Sequence, residues 1–268
     1  MTIRTPIATT PAGPACALVH RPGRGSRALD CWLALPADPA PGARPLVAVH
    51  GIGRGAREQA EAYAARAAAE GRIVVAPLFD ERRWTGYQRA VAPRRADLAL
   101  LALLADLEGE GLIGAGPVDL AGFSGGAQFG HRFAMLYPHR LRRLSVCAAG
   151  WWTTPDAATA FPYGLGGAWG ARLEAGLDRF LGLEIAVSVG AGDDQPDAAT
   201  RSTPALDAAQ GPDRAARARA WTEALRAEAA RRGLAEPRLT LDLLPGCGHD
   251  FAACAQAGLL DLAFAPHP

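Results

Sequence analysis

The chain has 268 residues, 49% of them hydrophobic, and a formal net charge of +1 from 28 basic and 27 acidic side chains. Charge so balanced and so evenly spread excludes the electrostatic footprint of a nucleic-acid or acidic-membrane binder. No apolar run approaches the roughly 20 residues that cross a bilayer, so the class is a water-soluble protein with no nucleic acid and no membrane among its partners.

The first segment, Met1 to Cys16, is rich in Thr, Pro and Ala. It has no positively charged head followed by a compact apolar stretch, so no secretory leader is expected and a cytoplasmic location is. Ala17 to Val19 and Ala28 to Leu35 follow as short antiparallel strands at a sheet edge, bounded by Gly and Pro. After the breakers of Pro36 to Pro45 comes Leu46 to Val49, a continuous apolar run that suits a strand buried on both faces and ends at His50-Gly51-Ile52-Gly53. Arg57 to Glu70 is an Ala-rich helix that Gly71 stops, and Arg72 to Pro77 is a second buried strand. Arg94 to Leu107 has the spacing of an amphipathic helix. Val118 to Phe123 is a strand, Gly126 to Tyr137 the helix after it, and Leu141 to Ala149 and Leu183 to Val189 are two more strands.

Between those last two strands the rhythm breaks. Pro212 to Arg232 then reads as a helix, Arg238 to Leu244 as the last strand and Phe251 to Phe264 as a closing helix. Strands alternating with helices imply right-handed crossovers: a single α/β domain over residues 1–268, with an eight-stranded, mostly parallel sheet and helices on both faces. Ligands of such sheets bind at the carboxyl ends of the strands. The residues just after the strands are therefore where chemistry is to be sought.

A serine hydroxyl becomes a nucleophile at neutral pH only with a base beside it, a carboxylate to orient that base, and donors for the developing oxyanion. Four post-strand segments supply these types. Gly122-Phe123-Ser124-Gly125-Gly126 is a strand-to-helix turn whose flanking glycines permit close approach, the pattern of a nucleophile elbow. Gly125, opening the helix, offers a backbone N–H toward an oxyanion. In His50-Gly51-Ile52-Gly53 the N–H of Ile52 is the second candidate donor, with Gly53 as the alternative register and His50 as a residue that holds the loop. Gly190-Ala191-Gly192-Asp193-Asp194 offers the acid, Asp193 preferred to Asp194. Gly246-Cys247-Gly248-His249-Asp250 offers the base, His249, with Cys247 read as packing.

The five cysteines, Cys16, Cys31, Cys147, Cys247 and Cys254, have neither metal-ligand spacing nor a disulfide framework and read as reduced thiols. Arginine carries the positive charge in an Ala-, Gly- and Pro-rich chain. That composition reads as codon bias rather than as a binding surface.

With Ser124, Asp193 and His249 in that order and His50-Gly51 upstream, residues from Leu46 to Ala263 resemble the α/β-hydrolase superfamily. The compact length and the long Arg- and Ala-rich helix between acid and base are most similar to bacterial esterases of the polyhydroxyalkanoate-depolymerase and dienelactone-hydrolase type. Dienelactone members carry cysteine in the elbow and this chain carries serine, which points to ordinary ester hydrolysis. The resemblance implies attack by Ser124 with His249 as base, an oxyanion held by Ile52 and Gly125, and no metal or organic cofactor. The same machinery serves an amidase, peptidase or thioesterase, and a non-catalytic binding protein on the same fold would be expected to lack a triad member. Substrate range is assigned to residues 150–182 as a cap, with Trp151, Trp152 and Tyr163 as a substrate wall and Trp84 opposite. Packing of those rings onto the body is the competing reading.

Overall fold

The apolar runs become strands and the Ala-rich stretches become helices in the computed structural model, which describes residues 16–25, 28–197 and 200–264. The strands are β1 (Cys16–Arg21), β2 (Asp30–Pro36), β3 (Leu46–Val49), β4 (Val74–Leu78), β5 (Val118–Phe123), β6 (Leu141–Cys147), β7 (Glu184–Gly190) and β8 (Leu239–Leu244). They form one eight-stranded sheet in the order β1-β2-β4-β3-β5-β6-β7-β8. β1 and β2 run antiparallel at one edge and every pairing from β4 to β8 is parallel. After β3 the chain passes outward to β4 and then crosses back to β5 on the other side of β3. The turns after β3 and β5 therefore face each other across a topological switch point, where open α/β sheets bind ligands.

The helices are α1 (Ala56–Glu70), α2 (Ala96–Gly109), α3 (Gly125–Leu136), α4 (Gly167–Glu174), α5 (Leu177–Leu181), α6 (Pro204–Gln210), α7 (Arg214–Arg231), α8 (Phe251–Cys254) and α9 (Leu260–Phe264). β3 shows how both faces are covered. Leu46 and Ala48 pack with Tyr63 and Ala67 of α1 and Phe264 of α9. Val47 and Val49 point the other way, into the larger core with Leu100 and Leu104 of α2 and Phe129 and Phe133 of α3. The two-residue alternation of a strand produces this division.

The differences from the sequence reading are local. α4, α5 and α6 occupy stretches without a foreseen helix. The closing helix is broken by a wide turn at Ala255–Leu259, where Gly258 takes φ +107°. The leader argument rests on Met1 to Cys16, of which residues 1–15 lie outside the described residues. No described helix is long and apolar enough to cross a membrane.

Candidate active site

Ser124 stands between β5 and α3 with φ 53° and ψ −112°, a left-handed backbone that a side-chain-bearing residue adopts only under constraint. Its N–H donates to the Cys147 carbonyl at 2.8 Å, tying the turn to the end of β6. The glycines around it are required by space. A Cβ on Gly122 would lie 2.4 Å from the Gly126 carbonyl oxygen, and one on Gly126 only 2.0 Å from that of Val49. α3 thereby starts directly against β3, and the serine is lifted above the sheet.

Two further post-strand loops converge on it. The Ser124 Oγ lies 3.0 Å from His249 Nε2, and His249 Nδ1 lies 2.9 Å from Asp193 Oδ2. Asp193 is 3% exposed whereas Asp194 faces solvent, so geometry separates the two neighbouring acids. A carboxylate can only accept, so Nδ1–H donates to Asp193 and Nε2 is left to accept from the serine hydroxyl. The imidazole also stacks on Phe123, with ring centroids 5.2 Å apart, which fixes its plane. Ser124, Asp193 and His249 are thus brought into one hydrogen-bonded line.

The loop after β3 forms the other wall. Arg54 N–H closes a turn onto the Gly51 carbonyl at 3.1 Å, leaving Ile52 and Gly53 at its centre. A Cβ on Gly125 would sit 3.3 Å from the Ile52 backbone nitrogen, and one on Gly51 3.4 Å from the Ser124 Cβ. Ile52 and Gly125 therefore flank the serine together. The N–H of Gly125, in the first turn of α3, has no acceptor within its helix.

His50 holds this loop. Phe79 N–H donates to its Nε2 at 3.0 Å, and Nδ1, carrying the proton, donates to the Gly51 carbonyl at 2.7 Å. Burial lowers its pKa to about 4, so the ring is neutral at pH 7. Tyr87 Oη donates to the His50 carbonyl at 2.6 Å and lies beside Gly125. Cys247, two residues before His249, has its thiol pushed up to about 12 by burial, so it is not a thiolate nucleophile.

The aromatic residues assigned to a substrate wall are placed differently from one another. Trp152 has no exposed surface. It stacks on Trp221 at 4.1 Å, and its backbone is clamped by Gln210 through both N–H and carbonyl. Trp151 is 5% exposed, between the Arg132 guanidinium at 4.2 Å and the Tyr163 ring at 4.9 Å. The Tyr163 hydroxyl accepts from Arg201 at 2.8 Å. Trp84 lines a separate cavity of roughly 710 Å3 with Arg83, Pro93, Arg94 and Leu98, to which Ser124 and His249 do not contribute.

Arginines that the composition made easy to dismiss do much of the holding. Arg132, fully buried on α3, donates to Thr153 Oγ1 and to the carbonyls of Gln88, Gln128 and Pro162. Arg217 donates to the Gly150 carbonyl, Trp221 Nε1 to that of Thr153, and Arg214 to Asp193. Arg214, Arg217 and Trp221 are spaced three and four apart, one face of α7. That spacing was the one signal available in the sequence. Their partners, far away along the chain, were not readable.

No protein-family model and no curated protein sequence matches the chain. Solved structures do. The LpqC poly(3-hydroxybutyrate) depolymerase of Bordetella parapertussis is similar at 31% identity and a TM-score of 0.76, over 89% of this chain and 85% of that one. The poly(aspartic acid) hydrolase-1 of Sphingomonas sp. KT-1 is similar at 23% identity and a TM-score of 0.78, over 92% of this chain and 98% of that one. An S-formylglutathione hydrolase (FrmB) of Staphylococcus aureus shares the fold at 12% identity and a TM-score of 0.56, over 96% of this chain and 99% of that one.

Proposed function

The chain belongs to the α/β-hydrolase superfamily as a serine hydrolase of esters, related to the poly(3-hydroxybutyrate) depolymerase type, and on that footing we propose that Ser124, His249 and Asp193 are its triad. His249 Nε2 takes the hydroxyl proton as Ser124 Oγ attacks the ester carbonyl. Asp193 holds the imidazole in the required tautomer and stabilises the imidazolium that forms. The N–H groups of Ile52 and Gly125 receive the oxyanion, each such donor contributing on the order of 3 kcal/mol in the transition state. His249 then returns the proton to the leaving alcohol. Water repeats the sequence on the acyl-enzyme and releases the acid.

The observation that carries this reading is the unbroken line Ser124–His249–Asp193, with links of 3.0 and 2.9 Å. The substrate we assign is an oligomeric hydroxyalkanoate or related polyester, supported by the relative at 31% identity. Residues 150–182 act as the cap that shapes the acyl site, with Trp151 and Tyr163 as its inner wall. We place the protein in a reducing, cytoplasmic setting, a reading supported by five cysteines that are all free thiols.

The test is turnover of a p-nitrophenyl ester and of short 3-hydroxyalkanoate oligomers, beside an anilide and a thioester. Ser124→Ala is expected to lose at least about 10³-fold in kcat. Full turnover by that variant would refute the nucleophile. An anilide cleaved faster than either ester would refute the substrate class.

A further inference from the structure

Arg214, the first residue of α7, is 1% exposed and makes three short contacts to carboxylate oxygens. One guanidinium nitrogen lies 2.8 Å from Asp193 Oδ1 and 2.9 Å from Asp197 Oδ2, and the other lies 3.0 Å from Asp197 Oδ1. Asp193 Oδ2, the remaining oxygen, faces His249. The acid is therefore gripped on both sides, by an imidazole on one and a guanidinium on the other. We propose that Arg214 is a positioning residue for the catalytic acid, which fixes the Asp193 carboxylate toward His249 and shares its charge. This rests on the triad reading above.

Two consequences follow from the geometry. The first is orientation. A carboxylate with one oxygen held by a buried guanidinium cannot rotate away from Nδ1, and misplacement of a catalytic group by about 1 Å can cost on the order of 10²-fold in rate. The second is charge. A negative charge beside an imidazole favours its protonated form, and a cation on the far oxygen weakens that pull. Removing the guanidinium would leave the full Asp193 charge facing the imidazole alone.

Among the described residues, the other groups facing Asp193 and His249 do not supply this effect. Asp193 is faced by Arg214 from α7, by His249 and Cys247 from the loop after β8, and shares Arg214 with Asp197 of its own loop. Cys247 is a neutral thiol. His249 is faced by Ser124 and Asp193, packs on Phe123, and precedes Asp250, whose side chain caps α8. Arg214 is the cation among them. Asp197 competes with Asp193 for that cation, which gives the proposal a second handle of opposite sign.

The experiment is kcat/KM against pH for the full chain on a p-nitrophenyl ester, with active sites counted by a fluorophosphonate probe. The variants are Arg214→Gln, Arg214→Lys, Asp197→Asn and Asp193→Asn. Arg214→Gln is expected to lower kcat about 10- to 100-fold per active site, with KM within about threefold, and to move the acidic limb to higher pH by about half a unit or more. Arg214→Lys, which keeps the charge, returns the limb to the wild-type position with only part of kcat. Asp197→Asn keeps an accepting oxygen for Arg214 but removes the second negative charge on it, so the guanidinium's charge is shared less and the limb moves to lower pH.

An acidic limb unmoved in Arg214→Gln, with only fewer active sites, would overturn the proposal in favour of a structural role. If circular dichroism shows that variant unfolded, Asp197→Asn decides, and a limb that stays or rises overturns it. Wild-type turnover by Asp193→Asn would instead remove the triad reading itself. That outcome is distinct from one in which Asp193→Asn is inactive and the limbs of the other variants stay fixed.

Discussion

A Cβ on Gly126 would lie 2.0 Å from the Val49 carbonyl oxygen and 2.7 Å from that of His50, well inside contact distance with backbone that has no freedom to give. Gly126→Ala is therefore expected to push α3 off β3, destabilising the chain by about 1–3 kcal/mol or more and parting Ile52 from Gly125. Urea unfolding and ester turnover measure both effects. Gly109→Ala, where nothing lies within 4 Å of the new methyl, is the control and should be neutral or slightly stabilising. Equal stability and turnover in the two variants would show that the elbow tolerates a side chain. This residue scale is also where the sequence is most legible. Glycines two before and two after Ser124 encode a close approach that no other residue permits, and the turn became readable because an apolar strand precedes it and a helix follows. The choice between Asp193 and Asp194 could only be leaned upon, because adjacent acids in a Gly-rich loop differ in direction and not in type. Of Arg214 only its place on one face of α7 could be read, not its role, since its partner lies on another loop and its own helix is full of arginines.

At the scale of elements, α7 joins the acid loop to the segment that follows β6. Arg217 reaches Gly150, and Trp221, 1% exposed, stacks on Trp152 while its Nε1 donates to the Thr153 carbonyl at 2.9 Å. Trp221→Ala removes a large buried ring, its stacking partner's contact and a donor to a buried carbonyl. It should cost about 3–5 kcal/mol, measured by urea unfolding, and loosen residues 150–166 to proteolysis before the rest of the chain. A loss below about 1 kcal/mol would mean that α7 does not anchor that segment. The long, strongly patterned elements were legible: β3, β5 and α7 lie within a residue or two of where propensity and periodicity put them. α4 was not, because Gly167-Ala168-Trp169-Gly170 carries two glycines and little intrinsic helicity, and its helix is stabilised by packing rather than by propensity. The closing helix fails for the converse reason. Its apolar pattern runs on through Gly258, but that residue's left-handed backbone divides it.

For the whole molecule, two neutral histidines pin loops at the same end of the sheet. His50 Nε2 accepts from Phe79 N–H after β4, and His131 Nε2 accepts from Thr153 N–H after β6, each at 3.0 Å, while each Nδ1 lies within hydrogen-bond reach of a carbonyl. Burial lowers the pKa of both, His50 to about 4 and His131 well below its ordinary value. In the unfolded chain a histidine titrates near about 6.5, so below that pH the unfolded state binds protons that the folded state refuses. Stability is therefore retained in full above about pH 6.5 and falls as the pH drops. For His50 the fall continues to about pH 4, where it amounts to about 3 kcal/mol. Glu228, held down to about 2 by Arg231 and Arg232, adds a loss of the same sign, but at lower pH than the histidines and equally in variants that leave it alone. The difference between wild type and His50→Gln, followed by urea unfolding from pH 7.5 to 4.5, isolates the histidine. Gln also offers a donor and an acceptor but does not titrate, so the variant should lose stability less steeply than wild type and the two curves should converge as the pH falls. Curves that stay parallel would mean that His50 accepts its proton in the folded chain, and that the loop carrying Ile52 is held by something other than a neutral imidazole.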